Sequence, residues 1–114
     1  MNKYIEKMVI STPLDSFIEV YDEELNKVSS LKEAEMICKK LGNGWRLPTF
    51  KELEQIYEKS QKNKYHLFED SVYISSTLYA DGESGEIVEA IDFGTGRREF
   101  VKVIKVRFRP VRVR

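Results

Sequence analysis

The sequence predicts an α+β domain in which two helices sit apart from a run of antiparallel strands. Three observations carry this reading. Two segments with helical apolar spacing and their own caps lie next to each other between residues 30 and 60. After Asp70 the pattern changes to β-branched and aromatic residues broken by glycine-bearing turns. Strands and helices do not alternate as a parallel sheet requires. The chain has 114 residues, enough for one domain with one core, so residues 1–114 are read as a single unit.

"YIEKMVI" (residues 4–10) and "FIEVY" (17–21) read as short strands separated by Pro13 and Asp15. Ser30 and Glu33 form a Ser-x-x-Glu capping box ahead of Leu31, Ala34, Ile37, Cys38 and Leu41, which share one helical face. Lys39 and Lys40 suit the negative end of that helix, and Gly42 supplies a left-handed cap. Thr49 and Glu52 repeat the capping box for a second helix, with Leu53, Ile56 and Tyr57 on its apolar face and an expected end near Ser60 to Asn63. "SVYISSTLY" and "EIVEAIDF" read as strands joined by the polar turn "ADGESGE". After the turn "FGTGRR", "EFVKVIKVRFRPVRV" reads as one long strand. The slip in its alternation between Val103 and Ile104 suggests a bulge, and Pro110 an edge position or a second break.

The segments "LGNGWRLPTFKEL", "YISST", "FGTG" and "RFRPVR", in that order, resemble bacterial domains of unknown function that share a Gly-Trp-Arg-Leu-Pro-Thr-x-x-Glu-Leu core, the so-called major paralogous domain among them. More remotely they resemble formylglycine-generating and sulfatase-modifying domains. The resemblance spans about Leu31 to Arg112 and implies a C-type-lectin-like fold: two helices packed on twisted antiparallel sheets, with the first and last strands paired. Members often carry a tryptophan before the Ser-Ser pair, where this chain has Tyr73 and Ile74. Trp45, Arg46, Leu47 and Pro48 read as a structural corner. Trp45 is expected to plug the junction of helices and sheet, Arg46 to tie it to carbonyls or an acid, Leu47 to enter the core and Pro48 to set the second helix.

Little in the sequence argues for catalysis. The single cysteine, Cys38, lies in a helical pattern, and the single histidine, His66, in a polar stretch, so neither a disulfide nor a His/Cys metal cluster is available. Calcium-lectin motifs and a phosphate-binding glycine loop are missing, and "DGESGE" reads as a solvated turn rather than an EF-hand loop. The expectation is therefore a non-enzyme with no cofactor and no metal. No apolar run reaches membrane-spanning length, and Glu6 and Lys7 stand where a signal peptide needs apolar residues, which predicts a cytoplasmic protein.

Two binding readings remain. The first is a module for another protein that uses loops 62–70, 80–86 and 94–99, with Tyr65, His66, Tyr79, Arg97 and Arg98 as contact residues. The second starts from charge. Net charge is zero, yet Arg97 to Arg114 holds eight basic residues against Glu99 alone. Lys105, Arg107 and Arg109 would share one side of the last strand and, with Arg112, could grip nucleic-acid phosphates. They could instead pair with acids such as Glu19, Glu86, Glu89 or Asp92. A carbohydrate-binding module has only the implied fold in its favour.

Overall fold

A computed structural model describes residues 9–11, 17–63, 68–83 and 85–113. In chain order the elements are β1 (Val9–Ser11), β2 (Phe17–Val20), α1 (Leu31–Leu41), α2 (Phe50–Asn63), β3 (Val72–Gly82), β4 (Gly85–Asp92), β5 (Arg98–Lys102) and β6 (Val111–Val113). They form an α+β fold with two antiparallel three-stranded sheets, ordered β1-β2-β6 and β3-β4-β5. The last strand pairs with β2, near the N-terminus, in the register Ile18 to Val113 and Val20 to Val111. The expected strand at residues 4–10 lies outside the described residues except for Val9 and Ile10.

Both helices begin on the side chains that the capping pattern identifies. Ser30 Oγ accepts the Glu33 N–H at 3.0 Å, and the Glu33 carboxylate accepts the Ser29 N–H at 2.8 Å. Gly42, at φ 70°, ends α1 with its N–H on the Lys39 carbonyl. At α2, Thr49 Oγ1 accepts the Glu52 N–H, and Glu52 accepts the Thr49 N–H at 2.9 Å. The helix ends at Asn63, within the expected stretch Ser60 to Asn63. Ser60 is buried, and its hydroxyl donates to the Tyr57 carbonyl one turn back, so a polar residue stays on the packed face at no cost in unpaired groups.

Residues that alternate along β3 and β4 feed two separate apolar clusters, as the two-residue period of a strand dictates. Tyr73 and Ile91 join Ile18, Val20, Leu53, Ile56 and Phe93 under α2. Ile74, Val88 and Ala90 join Val28, Ala34, Cys38, Leu47 and Phe108. The second sheet is therefore covered on both faces near its centre. At the β4–β5 turn, Gly96 has φ 81°, and a Cβ there would fall 2.6 Å from the Tyr57 hydroxyl, so both backbone and space require glycine.

The C-terminal segment corrects the expectation of one long strand. β5 stops at Lys102, and Lys105 takes φ 49°. The chain then makes single bridges, Val106 to Val28 and Arg107 to Tyr73, before entering the other sheet as β6. The slip at Val103–Ile104 marks the end of a strand, not a bulge within one. Val103 turns inward, Ile104 is 60% exposed, and the Lys105 N–H binds Ser29 Oγ. Pro110 lies in the crossing between sheets, where its missing N–H leaves no ladder position empty; its carbonyl accepts the Tyr21 N–H.

Candidate functional site

Residues of the Gly-Trp-Arg-Leu-Pro stretch serve the frame. The backbone of Arg46 exchanges both hydrogen bonds with Val111, at 2.8 and 2.7 Å, which fastens the helix junction to β6. Its guanidinium donates to both Glu52 oxygens at 2.7 Å and to the Leu47 carbonyl at 3.1 Å. This fork fixes the first turn of α2 and holds the Arg46 pKa above its ordinary value. For Glu52, burial pushes the carboxyl pKa up, but the bonds from Arg46 and Thr49 outweigh it and hold it below the usual carboxylate range. Leu47 and Pro48 are buried. Trp45 departs from expectation. Its ring is only partly buried, edge-on to Tyr21 at 5.2 Å and beneath the Arg112 guanidinium at 4.4 Å, so it clamps the outside of the junction rather than plugging it. An open cleft of about 320 Å³ runs beside it, with Glu35, Lys39 and Cys38 in its wall. Burial pushes the Cys38 pKa up to about 11, which keeps it a thiol and removes it as a nucleophile at neutral pH.

The proposed row of Lys105, Arg107, Arg109 and Arg112 does not exist as a surface. Arg109 is 1% exposed, bonded to Glu24 at 2.6 Å and the Tyr21 carbonyl at 3.0 Å, with its guanidinium 4.8 Å from the centre of the Phe68 ring. Arg107 pairs with Glu24 and Glu69, each at 3.3 Å. Tyr73 completes the knot, donating to Glu24 at 2.8 Å and accepting the Glu69 N–H at 3.1 Å. Its hydroxyl pKa is raised by burial first and then by the neighbouring Glu24 charge. Arg112 pairs with Glu19, which is itself buried. Lys105 is exposed but lies in the turn, away from any row. The alternation that suggested one basic face needs a continuous strand, and residues 103–110 are not one.

The three proposed binding loops also do not converge. β3, β4 and β5 form a meander, so the 80–86 hairpin and the 94–99 turn lie at opposite ends of β4, about 25 Å apart at a strand's rise per residue. The described part of the 62–70 loop belongs with the second of these, since Asp70 lies against Gly94. Tyr65 and His66 lie outside the described residues. Arg97 is exposed on the 94–97 turn, where its carbonyl closes the turn onto the Asp92 N–H.

Tyr79 and Arg98 do meet, on the second sheet beyond the start of α2, through a residue absent from the sequence-based set. Phe100 is 49% exposed, Tyr79 is 66% exposed, and their ring centres are 4.6 Å apart. The Arg98 guanidinium lies over the Phe50 ring at 4.6 Å and the Phe100 ring at 5.3 Å, and it also pairs with Glu89. Arg98 is thereby held flat between the α2 start and the exposed rings. The signal for Phe100 was present: Arg98, Phe100 and Lys102 alternate against Glu99 and Val101, so one face of that short strand carries a large ring between two cations.

Among the described residues, no cluster of three His, Cys, Asp or Glu side chains could hold a metal ion. Of the hairpin carboxylates, Glu86 is engaged at the start of α1, accepting the Leu31 N–H at 3.0 Å. No described helix is long and apolar enough to cross a membrane. Compared with known proteins, the chain matches no family model, and no curated protein is detectably similar to it.

Proposed function

We propose that this domain is a non-catalytic cytoplasmic binding module for another protein, with Tyr79, Phe100 and Arg98 as its recognition surface. One observation carries the reading. Two large rings stand exposed side by side at the edge of a sheet whose centre is covered, and an arginine stacked on Phe100 and Phe50 holds that end of the sheet in a fixed shape. Preorganised aromatic and arginine side chains are the residue types that dominate protein recognition energy. The surrounding titratable groups support a non-enzyme: Glu89 and Glu52 are tied to arginines, and Cys38 is a buried thiol.

The C-type-lectin-like assignment belongs to the same proposal. Its supports are the Gly-Trp-Arg-Leu-Pro-Thr-x-x-Glu-Leu motif, the two helices, and the pairing of β2 with β6. Such a frame tolerates variation at its periphery, and here the exposed rings fall on the β3-β4-β5 sheet rather than on three joined loops.

The test is capture from the source cell's soluble extract, with and without nuclease, by the wild-type domain and by Tyr79→Ser and Phe100→Ser. The expected result is a protein that survives nuclease and is lost with either variant, while both variants keep the wild-type melting temperature. Capture that depends on nucleic acid and ignores both substitutions would defeat the proposal.

A further inference from the structure

β5 is the terminal strand of its sheet, and the hydrogen-bond phase shows which of its groups face outward. The ladder to β4 is bracketed by the Asp92 N–H on the Arg97 carbonyl and the Val103 N–H on the Glu86 carbonyl. In an antiparallel pair, hydrogen-bonded positions alternate, so residues 97, 99, 101 and 103 point their backbone toward β4. The N–H and C=O of Arg98 and Phe100, and the N–H of Lys102, therefore point away from the sheet. Among the described residues, none forms a backbone hydrogen bond to Arg98 or Phe100 from beyond the sheet. The same residues aim their side chains at the recognition face, and Arg98, Phe100 and Lys102 are all exposed.

Resting on the reading of Tyr79, Phe100 and Arg98 as the recognition surface, we infer that the partner binds as an extended acidic peptide segment that adds a strand to the open edge of β5. Backbone pairing with Arg98 and Phe100 fixes its register. Alternate side chains of the added strand then fall beside Phe100 on the same face as Tyr79, where an apolar or aromatic residue fits. Positions flanking that residue face Lys102, which is exposed, and Arg98, whose exposed guanidinium already meets Glu89 on its inner side, so an acidic side chain fits best beside Lys102. The charge pattern also decides against a second copy of this chain. A two-fold pairing of β5 with itself about Phe100 would set Arg98 opposite Lys102 of the copy, like charges on one face, which is unfavourable.

The inference is tested by selecting binders from a library of random heptapeptides displayed on phage. The best is then titrated into the isotope-labelled domain while amide exchange is followed. Selected peptides should be acidic with an apolar or aromatic residue flanked at alternate positions. Binding should slow exchange at the Arg98 and Phe100 amides, and Lys102→Glu should weaken it about fivefold, as expected for reversing one exposed charge pair. Methylating the peptide's backbone nitrogens that face β5 should abolish binding. Binding that needs Tyr79 and Phe100 but leaves those two amides exchanging freely, or shows no preference for acids, would overturn strand addition and leave the recognition surface standing. Peptides indifferent to Tyr79→Ser and Phe100→Ser would overturn both, as would an oligothymidylate that outcompetes every selected peptide.

Discussion

Arg98 and Arg109 lie eleven positions apart in one basic run, and each pairs with a glutamate and stacks on a phenylalanine ring. Their environments are opposite. Arg109 is the largest fully buried side chain described, held by Glu24 and the Tyr21 carbonyl where the crossing segment passes between the sheets. Arg98 has more than half of its side chain in solvent and presents one edge to a neighbouring open surface. The difference teaches that charge in this run does two unrelated jobs. From Arg107 onward it neutralises acids inside the frame; from Arg97 to Lys102 it stays mostly in solvent, with Arg98 meeting Glu89 from there.

The largest expected effect comes from breaking the buried side of that comparison. Arg109→Ala should destabilise the domain by about 3–4 kcal/mol, because it opens a cavity and strips Glu24 of its shortest partner. Urea unfolding reads this directly, and a loss below 1 kcal/mol would mean that the Glu24 knot is not structural. Trp45→Ala should cost less, about 2 kcal/mol, since the ring is partly exposed and loses only its clamp on Tyr21 and Arg112.

Glu52→Gln sharpens the comparison through pH. The folded carboxyl is held below its unfolded value, so its stabilisation is complete above the unfolded pKa and is lost as pH falls through the folded one. Melting curves of wild type and variant should differ by about 1 kcal/mol at pH 7, and the gap should narrow steadily as pH falls below the unfolded carboxyl value of about 4.3. A gap that does not narrow on acidification would assign the effect to packing. The smallest effect is expected at Arg98→Ala, within about 1 kcal/mol of wild type in stability, as for other exposed pairs. Its cost should appear instead as weaker partner binding in titration calorimetry.

The helices were legible in the sequence because their determinants are local. Ser30 with Glu33 and Thr49 with Glu52 are three residues apart, and the bonds form as the spacing implies. The end of α2 fell within the polar stretch Ser60 to Asn63, but the burial of Ser60 was not legible, because it depends on what packs over it. The C-terminal segment misled for the same reason: alternation in "KVIKVRFRPVR" states a preference for extended chain, but only Val28, Ser29 and Tyr73, far away in sequence, decide where that chain leaves one sheet for the other. Among the site residues, Tyr79 and Arg98 were visible as exposed types in strand-and-turn settings. Phe100 was signalled only by its alternation with Arg98 and Lys102, a weak cue because a phenylalanine in a strand is ordinarily core, and its exposure follows from β5 being the last strand of its sheet.

The pairing of β2 with β6 has a further consequence, in the order of events during synthesis. Glu19 and Arg112 meet although they lie 93 positions apart in the chain, so the first sheet stays incomplete until nearly all the described chain is made. Closing so long a loop is entropically slow, and contacts of such separation form late in folding. The capped helices and the β3–β4 hairpin can form before β2 finds its last partner. A nascent chain arrested before Val111 would display Ile18 and Val20 on an unfinished sheet, which makes that interval the one in which this protein most needs a chaperone.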